Sequence, residues 1–206
     1  IMQTVKAKIE AVTGAVADAF ENEFEAAKKA AQAVSKRRRA AAKELASKVT
    51  AELDSLAMGT SKLEIRVAER EQLDATGADD IEFLFTPFPG SPQLPMGKSA
   101  SGGELSRLML ALELVAAEKH VVAGGSVPPM TFIFDEVDAG VGGAVGLEIG
   151  RRLQRLAATS QVIVVTHLAQ VAAFADRHLV VHKADDGHVT TSGVQAVEGD
   201  ARLAEL

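Results

Sequence analysis

Two short apolar runs in the second half of the chain, each flanked by helix-forming sequence, constrain the fold more than any other feature. They cover residues 131–134 and 162–165 and consist mainly of Val, Ile and Phe. Buried strands that alternate with helices along a chain form parallel sheets covered by helices. We therefore predict an α/β fold. We expect helices at 102–120, 144–158 and 168–176, and strands of one sheet at 130–135, 161–166, 178–183 and 188–192.

Chemically active side chains follow both runs directly. Asp135 and Glu136 end the first run, and Thr166 and His167 end the second. Open α/β sheets bind ligands outside the carboxyl ends of their strands. At such an edge Asp135 can hold Mg²⁺, Glu136 can polarise an attacking water, and His167 can contact a phosphate. An Asp-Glu pair after an apolar strand also occurs as a helix cap, so this motif alone leaves both interpretations open.

The segment Ser101-Gly102-Gly103-Glu104 begins the first of these helices. Ser-x-x-Glu before a helical run is a capping box, which is a purely structural explanation. A hydroxyl and two glycine amides at a helix N-terminus also form an anion site that a phosphate can approach closely. Because this turn lies 34 residues before Asp135, with a helix and a strand between them, we favour the phosphate-binding interpretation.

The segment Gly97-Lys98-Ser99 is not a Walker A phosphate loop. Such a loop needs a glycine five residues before Gly97, where this chain has Pro92. No apolar strand precedes the segment, and Pro95 interrupts the approach to it. The sequence therefore indicates one part of a nucleotide site.

Residues 1–57 predict a long helix. Apolar residues recur at steps of three or four, which is typical of a coiled-coil seam that needs a partner strand. The alternative is a helical hairpin packed on the globular part, and Ser35 is a possible N-cap that would interrupt the helix. The seam consists of Val5, Ile9, Val12, Val16 and Phe20, followed by Leu45, Val49, Leu53 and Leu56.

The helix should break at residues 58–61, where Gly59 follows Met58. Alternating apolar residues in 63–67 and 81–85 predict two strands joined by a turn at 76–80. The proline-rich segment that follows predicts a loop without regular structure; its turn-forming residues are Pro87, Pro89, Gly90, Pro92 and Pro95. We place a domain boundary after residue 58, which gives a helical arm at 1–58 and a globular lobe at 59–206.

Composition narrows the classes of protein further. The chain has no cysteine, which excludes disulfides and thiolate metal sites and suits a reducing cytoplasm. No apolar run reaches the length of a membrane span, and no secretory signal is visible. Net charge is −6, yet residues 28–48 hold eight basic residues and one acid. That stretch is either a phosphate-backbone contact or a solvated helix face. Since the chain starts at Ile1 in helical pattern, we expect a fragment or an engineered boundary.

Three blocks in order, 100–107, 134–143 and 165–172, resemble the C-terminal head half of ABC ATPases of the SMC type. Within that superfamily they are similar to the RecN family of bacterial DNA-repair proteins. The resemblance covers residues 40–206 well, and residues 1–39 only as the returning arm of a coiled coil. It implies the head lobe of an ABC-type P-loop NTPase that lacks its Walker A half and is preceded by long coiled-coil-like helices.

The resemblance also implies a role for each motif. Asp135 would be the Walker B ligand of Mg²⁺, Glu136 the general base or water-orienting group, and His167 the switch histidine. The residues expected to contact the γ-phosphate of an ATP held by a second head are Ser101, Gly102 and Gly103, and Glu104 is assigned to the same cofactor site. The D-loop would be 139–142, although Gly142 stands where many ABC proteins have Asp.

Such heads form a dimer around two ATP molecules, with the Walker A lysine and the Q-loop on an N-terminal half. The resemblance thus implies ATP and Mg²⁺ as cofactors, and an N-terminal head half and a second head as partners. It further implies DNA as a partner in double-strand-break repair, no membrane, and a cytoplasmic, nucleoid-associated location. Two alternatives remain: another SMC-like or transporter-type ABC ATPase, and a non-catalytic head and coil module that serves assembly.

Overall fold

The computed structural model describes residues 2–122, 130–185 and 190–206. Residues 188 and 189 of the last predicted strand lie outside these ranges. The helices are α1 Met2–Leu53, α2 Met96–Ser99, α3 Gly102–Val122, α4 Gly143–Ala157, α5 Ala169–Ala172 and α6 Gly199–Glu205. The strands are β1 Lys62–Asp74, β2 Gly77–Thr86, β3 Leu94–Pro95, β4 Thr131–Phe134, β5 Gln161–Val164, β6 His178–Asp185 and β7 Thr190–Val197.

Contacts group the chain into two compact units. The first contains residues 1–44 and 64–83, and the second contains 45–63 and 84–206. The division of the chain into an arm and a lobe at residue 58 stays a prediction, because the hairpin formed by β1 and β2 contributes to both units. No helix in the described ranges is long and apolar enough to cross a membrane.

Helix α1 confirms the long N-terminal helix but does not stop at Ser35. The Ser35 hydroxyl donates hydrogen bonds to the Ala31 carbonyl at 3.0 Å and to the Asp79 carboxylate at 2.8 Å. The N-cap prediction was wrong because these bonds satisfy the hydroxyl inside a continuous helix. A π-helical turn, Asp54–Met58, ends the helix, and Ala57 there has a φ of 57°. The break expected after Met58 is confirmed.

The apolar stripe of α1 has two different environments. Val49, Leu53 and Leu56 are fully buried in the second unit. In the first unit Val12 and Phe20 are 64% and 70% exposed. An exposed stripe of this kind matches a helix that still needs a partner. The coiled-coil partner itself stays a prediction.

Strands β1 and β2 form the predicted hairpin. Asp74 holds its turn by accepting bonds from the Thr76 amide at 2.7 Å and the Thr76 hydroxyl at 2.6 Å, which lower the pKa of Asp74 to about 2. In the first unit Arg38 of α1 donates to the Thr76 carbonyl at 2.7 Å and to Asp79 at 3.1 Å. The bond from Ser35 and the Arg38 guanidinium lower the pKa of Asp79.

The proline-rich segment is more regular than we predicted. Residues 94 and 95 form β3, which pairs antiparallel with β2, and α2 follows directly. The expectation failed because β3 is an edge strand in the order β1-β2-β3, where a proline such as Pro95 needs no ladder hydrogen bond.

Strands β4 and β5 pair in parallel, with Thr131 opposite Gln161 and Phe134 opposite Val164. Helices α3 and α4 supply much of the buried core of the second unit. Gly150 of α4 admits the Phe174 ring, since a side-chain carbon at that position would overlap it.

Two predictions for the end of the chain were wrong. Strands β6 and β7 form an antiparallel sheet of their own and do not extend the β4–β5 sheet. Helix α5 covers only Ala169–Ala172, whereas a helix at 168–176 was expected. It ends early because Phe174 and Ala175 bond to carbonyls three residues back, which tightens the chain into turns.

Candidate functional site

The carboxyl ends of β4 and β5 lie side by side. The Val165 amide donates to the Phe134 carbonyl at 2.9 Å, which continues the parallel register past both strands. Asp135 and Glu136 therefore leave the sheet beside Thr166. This arrangement was expected from the two apolar runs, and the strand pairing confirms it. Asp135, Glu136 and His167 are all solvent-exposed.

The start of α3 has the expected capping box. The Ser101 amide donates to the Glu104 carboxylate at 2.8 Å, and the Glu104 amide lies 3.4 Å from the Ser101 hydroxyl. Each side chain thereby satisfies a backbone donor at the other end of the turn. The negative charge of Glu104 suits this capping role better than direct contact with a phosphate. The binding of a phosphate by residues 101–104 stays a prediction.

Two glycines let α3 approach the segment that follows β4. A side-chain carbon on Gly102 would lie 2.5 Å from the Glu136 carboxylate. One on Gly103 would lie 2.9 Å from the Ala139 side chain and 3.0 Å from the Glu136 carbonyl. Close packing within this chain therefore requires small residues here, whatever ligand the turn binds.

Glu136 has left-handed backbone geometry, with a φ of 56°. A non-glycine residue rarely adopts this region, which costs on the order of 1–2 kcal/mol. Such strain persists where the surroundings hold it, and it concentrates at functional sites. The carboxylate that was predicted to orient water is thus attached to a strained backbone position, against Gly102.

Helix α3 also holds the backbone of the segment 135–139. The Ser106 hydroxyl donates to the Asp135 carbonyl at 2.6 Å. Arg107, which is only 6% exposed, donates to the carbonyls of Val137 at 3.3 Å and Ala139 at 3.0 Å. Burial lowers the pKa of Arg107, while Glu104 and Asp138 oppose that shift. This buried cation anchors the loop that carries the two candidate catalytic carboxylates.

Asp138 joins this loop to the end of β5. Its carboxylate is 2% exposed, and it accepts hydrogen bonds from the Thr166 hydroxyl and, at 3.2 Å, from the His167 amide. Nδ1 of His167 lies 3.3 Å from the same carboxylate oxygen, although the His167 side chain is 73% exposed. The Leu168 amide donates to the Thr166 hydroxyl at 3.0 Å. Asp138 therefore fixes the backbone and one ring nitrogen of the predicted switch histidine.

Sequence reasoning missed Ser106, Arg107 and Asp138 as organising residues, and it placed Thr166 at the end of β5 without a role. Their importance comes from contacts between positions about 30 residues apart. The signal available in the sequence was the charge of Asp138 in a segment that is otherwise apolar and glycine-rich.

Asp135 suits a Mg²⁺ ion only as one ligand among several. In the parts of the chain that the structure describes, no three His, Asp or Glu residues are grouped to hold a metal ion. Protein-bound Mg²⁺ commonly takes one or two carboxylates and completes its shell with water and substrate phosphates. A single exposed carboxylate at a strand end fits that pattern, so water and the phosphates of a bound nucleotide would have to supply the other ligands of the ion.

No protein-family model matches the chain. Full-length relatives do match it. The DNA repair protein RecN of Streptomyces coelicolor is 50% identical over 188 residues, which cover 85% of this chain and 32% of that protein. RecN of Mycobacterium leprae is 49% identical over 198 residues, with 86% and 32% covered.

The chain is RecN-like. It spans about a third of the length of these relatives and corresponds to their C-terminal part. Among solved structures, an Smc head domain with a coiled coil and joint from Pyrococcus yayanosii matches with a TM-score of 0.56. It is 21% identical and covers 98% of this chain and 34% of that one. The RecN-like chain thus has the fold of an SMC head domain with part of its coil.

Proposed function

We propose that this RecN-like chain forms the C-terminal coil and head lobe of an ATPase that acts in DNA double-strand-break repair. The DNA repair role is taken from the RecN relatives. The observation that carries the ATPase proposal is the meeting of three elements at one place. The capped start of α3 packs against the loop after β4, and that loop is bonded to the end of β5.

In phosphoryl transfer the protein contributes mainly by positioning the reacting groups and stabilising their charge, and not by forming covalent bonds itself. In this proposal Asp135 is the residue that would hold a Mg²⁺ ion at the end of β4. The ion, when bound, neutralises charge that develops on the phosphates of ATP. Glu136 accepts a proton from the attacking water, or orients it. His167 contacts the γ-phosphate or that water, with its ring held by Asp138.

The start of α3 serves a different nucleotide from the one at Asp135. Amides at a helix N-terminus point at an anion, and the helix dipole favours negative charge there. We assign this turn, 101–103, to the γ-phosphate of ATP held by a second copy of the head. Two ATP molecules would then be enclosed between two heads, and hydrolysis would separate them.

The chain needs an N-terminal head half to complete each site. One face of the β4–β5 sheet supports this, because its apolar side chains are uncovered in the described residues. Ile133 is 71% exposed, Ile163 opposite it 45%, and Val165 59%. A groove of about 260 Å³ between α3 and β4 adjoins Ile133. We propose that the half carrying the Walker A loop covers this face, whether it lies on the same polypeptide or on another.

The experiment that tests the assignment is Glu136→Gln in a protein that contains both halves. The amide keeps the size of the side chain but cannot accept the proton, so ATP binding should remain while hydrolysis nearly stops. Unchanged turnover would refute Glu136 as the base. No hydrolysis by the parent protein together with normal ATP-dependent dimerisation would instead favour the non-catalytic assembly module, which the purely structural roles of Gly102 and Glu104 also support.

A further inference from the structure

In the basic stretch of α1, residues 28–48, some cations form hydrogen bonds or ion pairs within the first unit. Arg38 is bonded to the hairpin through Thr76 and Asp79, and Arg39 approaches Asp79 at 3.9 Å. Lys28 pairs with Glu25 at 2.9 Å. These three cations therefore have structural partners within the first unit.

Three lysines of the same stretch are exposed and have no ion pair within the described residues. They are Lys29, Lys36 and Lys43, which we call the lysine stripe. Because they are spaced by seven residues, they lie within about 40° of one another around the helix and about 10.5 Å apart along it. Of the intervening residues on that face, Gln32, Ala33 and Ala40 carry no charge, and Arg39 approaches Asp79 at 3.9 Å.

The lysine stripe faces away from the packed and apolar sides of α1. Lys36 lies about 100–140° around the helix from the buried residues Ala31, Ser35 and Ala42. It lies about 160° from the exposed apolar residues Val16 and Phe20. A coiled-coil partner on the apolar side would therefore leave the lysines accessible.

We infer that the lysine stripe binds the phosphate backbone of double-stranded nucleic acid, without reading its sequence. This inference rests on the proposed function, which supplies DNA as the partner class. Lysine is a flexible point charge that suits phosphate contact rather than base recognition. The stripe is about 21 Å long, which corresponds to roughly six base pairs of B-form duplex. Successive lysines about 10.5 Å apart can therefore reach phosphates on either side of a groove about 12 Å wide.

Two other anionic partners fit this surface less well. Helices that lie on membranes place basic residues beside an apolar face that enters the lipid. Here the apolar residues are on the opposite side of the helix. Protein interfaces depend on buried aromatic and apolar anchors, whereas Gln32, Ala33 and Ala40 offer none.

The test replaces all three lysines with glutamine in the full-length protein and measures duplex binding by fluorescence anisotropy over a range of salt concentrations. The slope of log affinity against log salt is negative, and each lost phosphate contact reduces its magnitude by about 0.9. We therefore expect the magnitude of the slope to fall by about 2.7, with DNA-independent ATP hydrolysis unchanged. The matched control replaces Lys6, Lys8 and Lys62, which are also exposed lysines, and should keep the parental slope.

Four outcomes separate the possibilities. A reduced slope in the stripe variant alone supports the inference. An unchanged slope with normal hydrolysis overturns the inference that the lysine stripe binds DNA, but leaves the proposed ATPase function intact. A parent protein that does not bind duplex DNA at any salt concentration overturns both the stripe and the DNA role. If the substitutions weaken binding to anionic phospholipid vesicles and leave the DNA slope unchanged, the surface binds membranes and the inference is wrong.

Discussion

Replacement of Asp138 by alanine should destabilise the second unit and release the end of β5. The carboxylate accepts bonds from the Thr166 hydroxyl and the His167 amide and lies near the buried Arg107. A buried donor left without a partner costs about 1–3 kcal/mol. Since both donors are only partly buried, we assign each the low end of that cost, about 1 kcal/mol. We add about 1 kcal/mol more because the buried Arg107 charge loses the nearby charge of Asp138. The expected loss is about 3 kcal/mol.

Two assays on the purified chain check this value. Denaturant unfolding should show the loss in stability, and hydrogen exchange should show faster exchange at the amides of His167 and Leu168. Asp176→Ala is a matched control, because Asp176 is exposed and should change stability by no more than about 0.5 kcal/mol. If Asp138→Ala also stays within that range and both amides keep their protection, the assigned network does not hold the histidine.

Three further predictions concern the same region. Gly103→Ala should destabilise by about 1–3 kcal/mol, because the new carbon meets backbone and a short side chain, whereas Gly102→Ala should cost less, because the Glu136 side chain can rotate away; equal losses on thermal unfolding would contradict this. Glu136→Gly should be about 1 kcal/mol more stable than Glu136→Ala, since only glycine relieves a φ of 56°; a less stable glycine variant on denaturant unfolding would show that the backbone is not strained. Ile133→Asp should leave the stability of the isolated chain nearly unchanged, as the side chain is 71% exposed, but should abolish co-purification with an N-terminal head half; retained association would move the docking face elsewhere.

Local sequence patterns predicted the elements that depend on local physics. The Ser-x-x-Glu spacing predicted the capping box at Ser101 and Glu104, since both partners lie within one helical turn. Apolar runs between helices predicted the parallel pairing of β4 and β5, because a helical crossover such as α4 returns the chain to the same end of the sheet. The hairpin turn near Thr76 followed from the same kind of pattern.

The errors arose where distant contacts decide the structure. Nothing in the pattern of β6 and β7 specifies which strand each pairs with, so their separate sheet could not be predicted. Ser35 has the chemistry of an N-cap, but a partner 44 residues away holds it inside the helix. The roles of Arg107 and Asp138 likewise depend on loops about 30 residues distant. Propensity and spacing carry no information of that kind.

The central claim is that this chain supplies the carboxylates and the helix-terminal amides of an ATP site whose phosphate cradle lies on another head half. The most direct measurement is steady-state ATP hydrolysis by the purified chain alone, and then after co-expression with the N-terminal half. We predict no appreciable hydrolysis by the chain alone, and hydrolysis by the reconstituted pair that Glu136→Gln removes. Robust hydrolysis by the isolated chain, or by a pair that carries Glu136→Gln, would contradict the account.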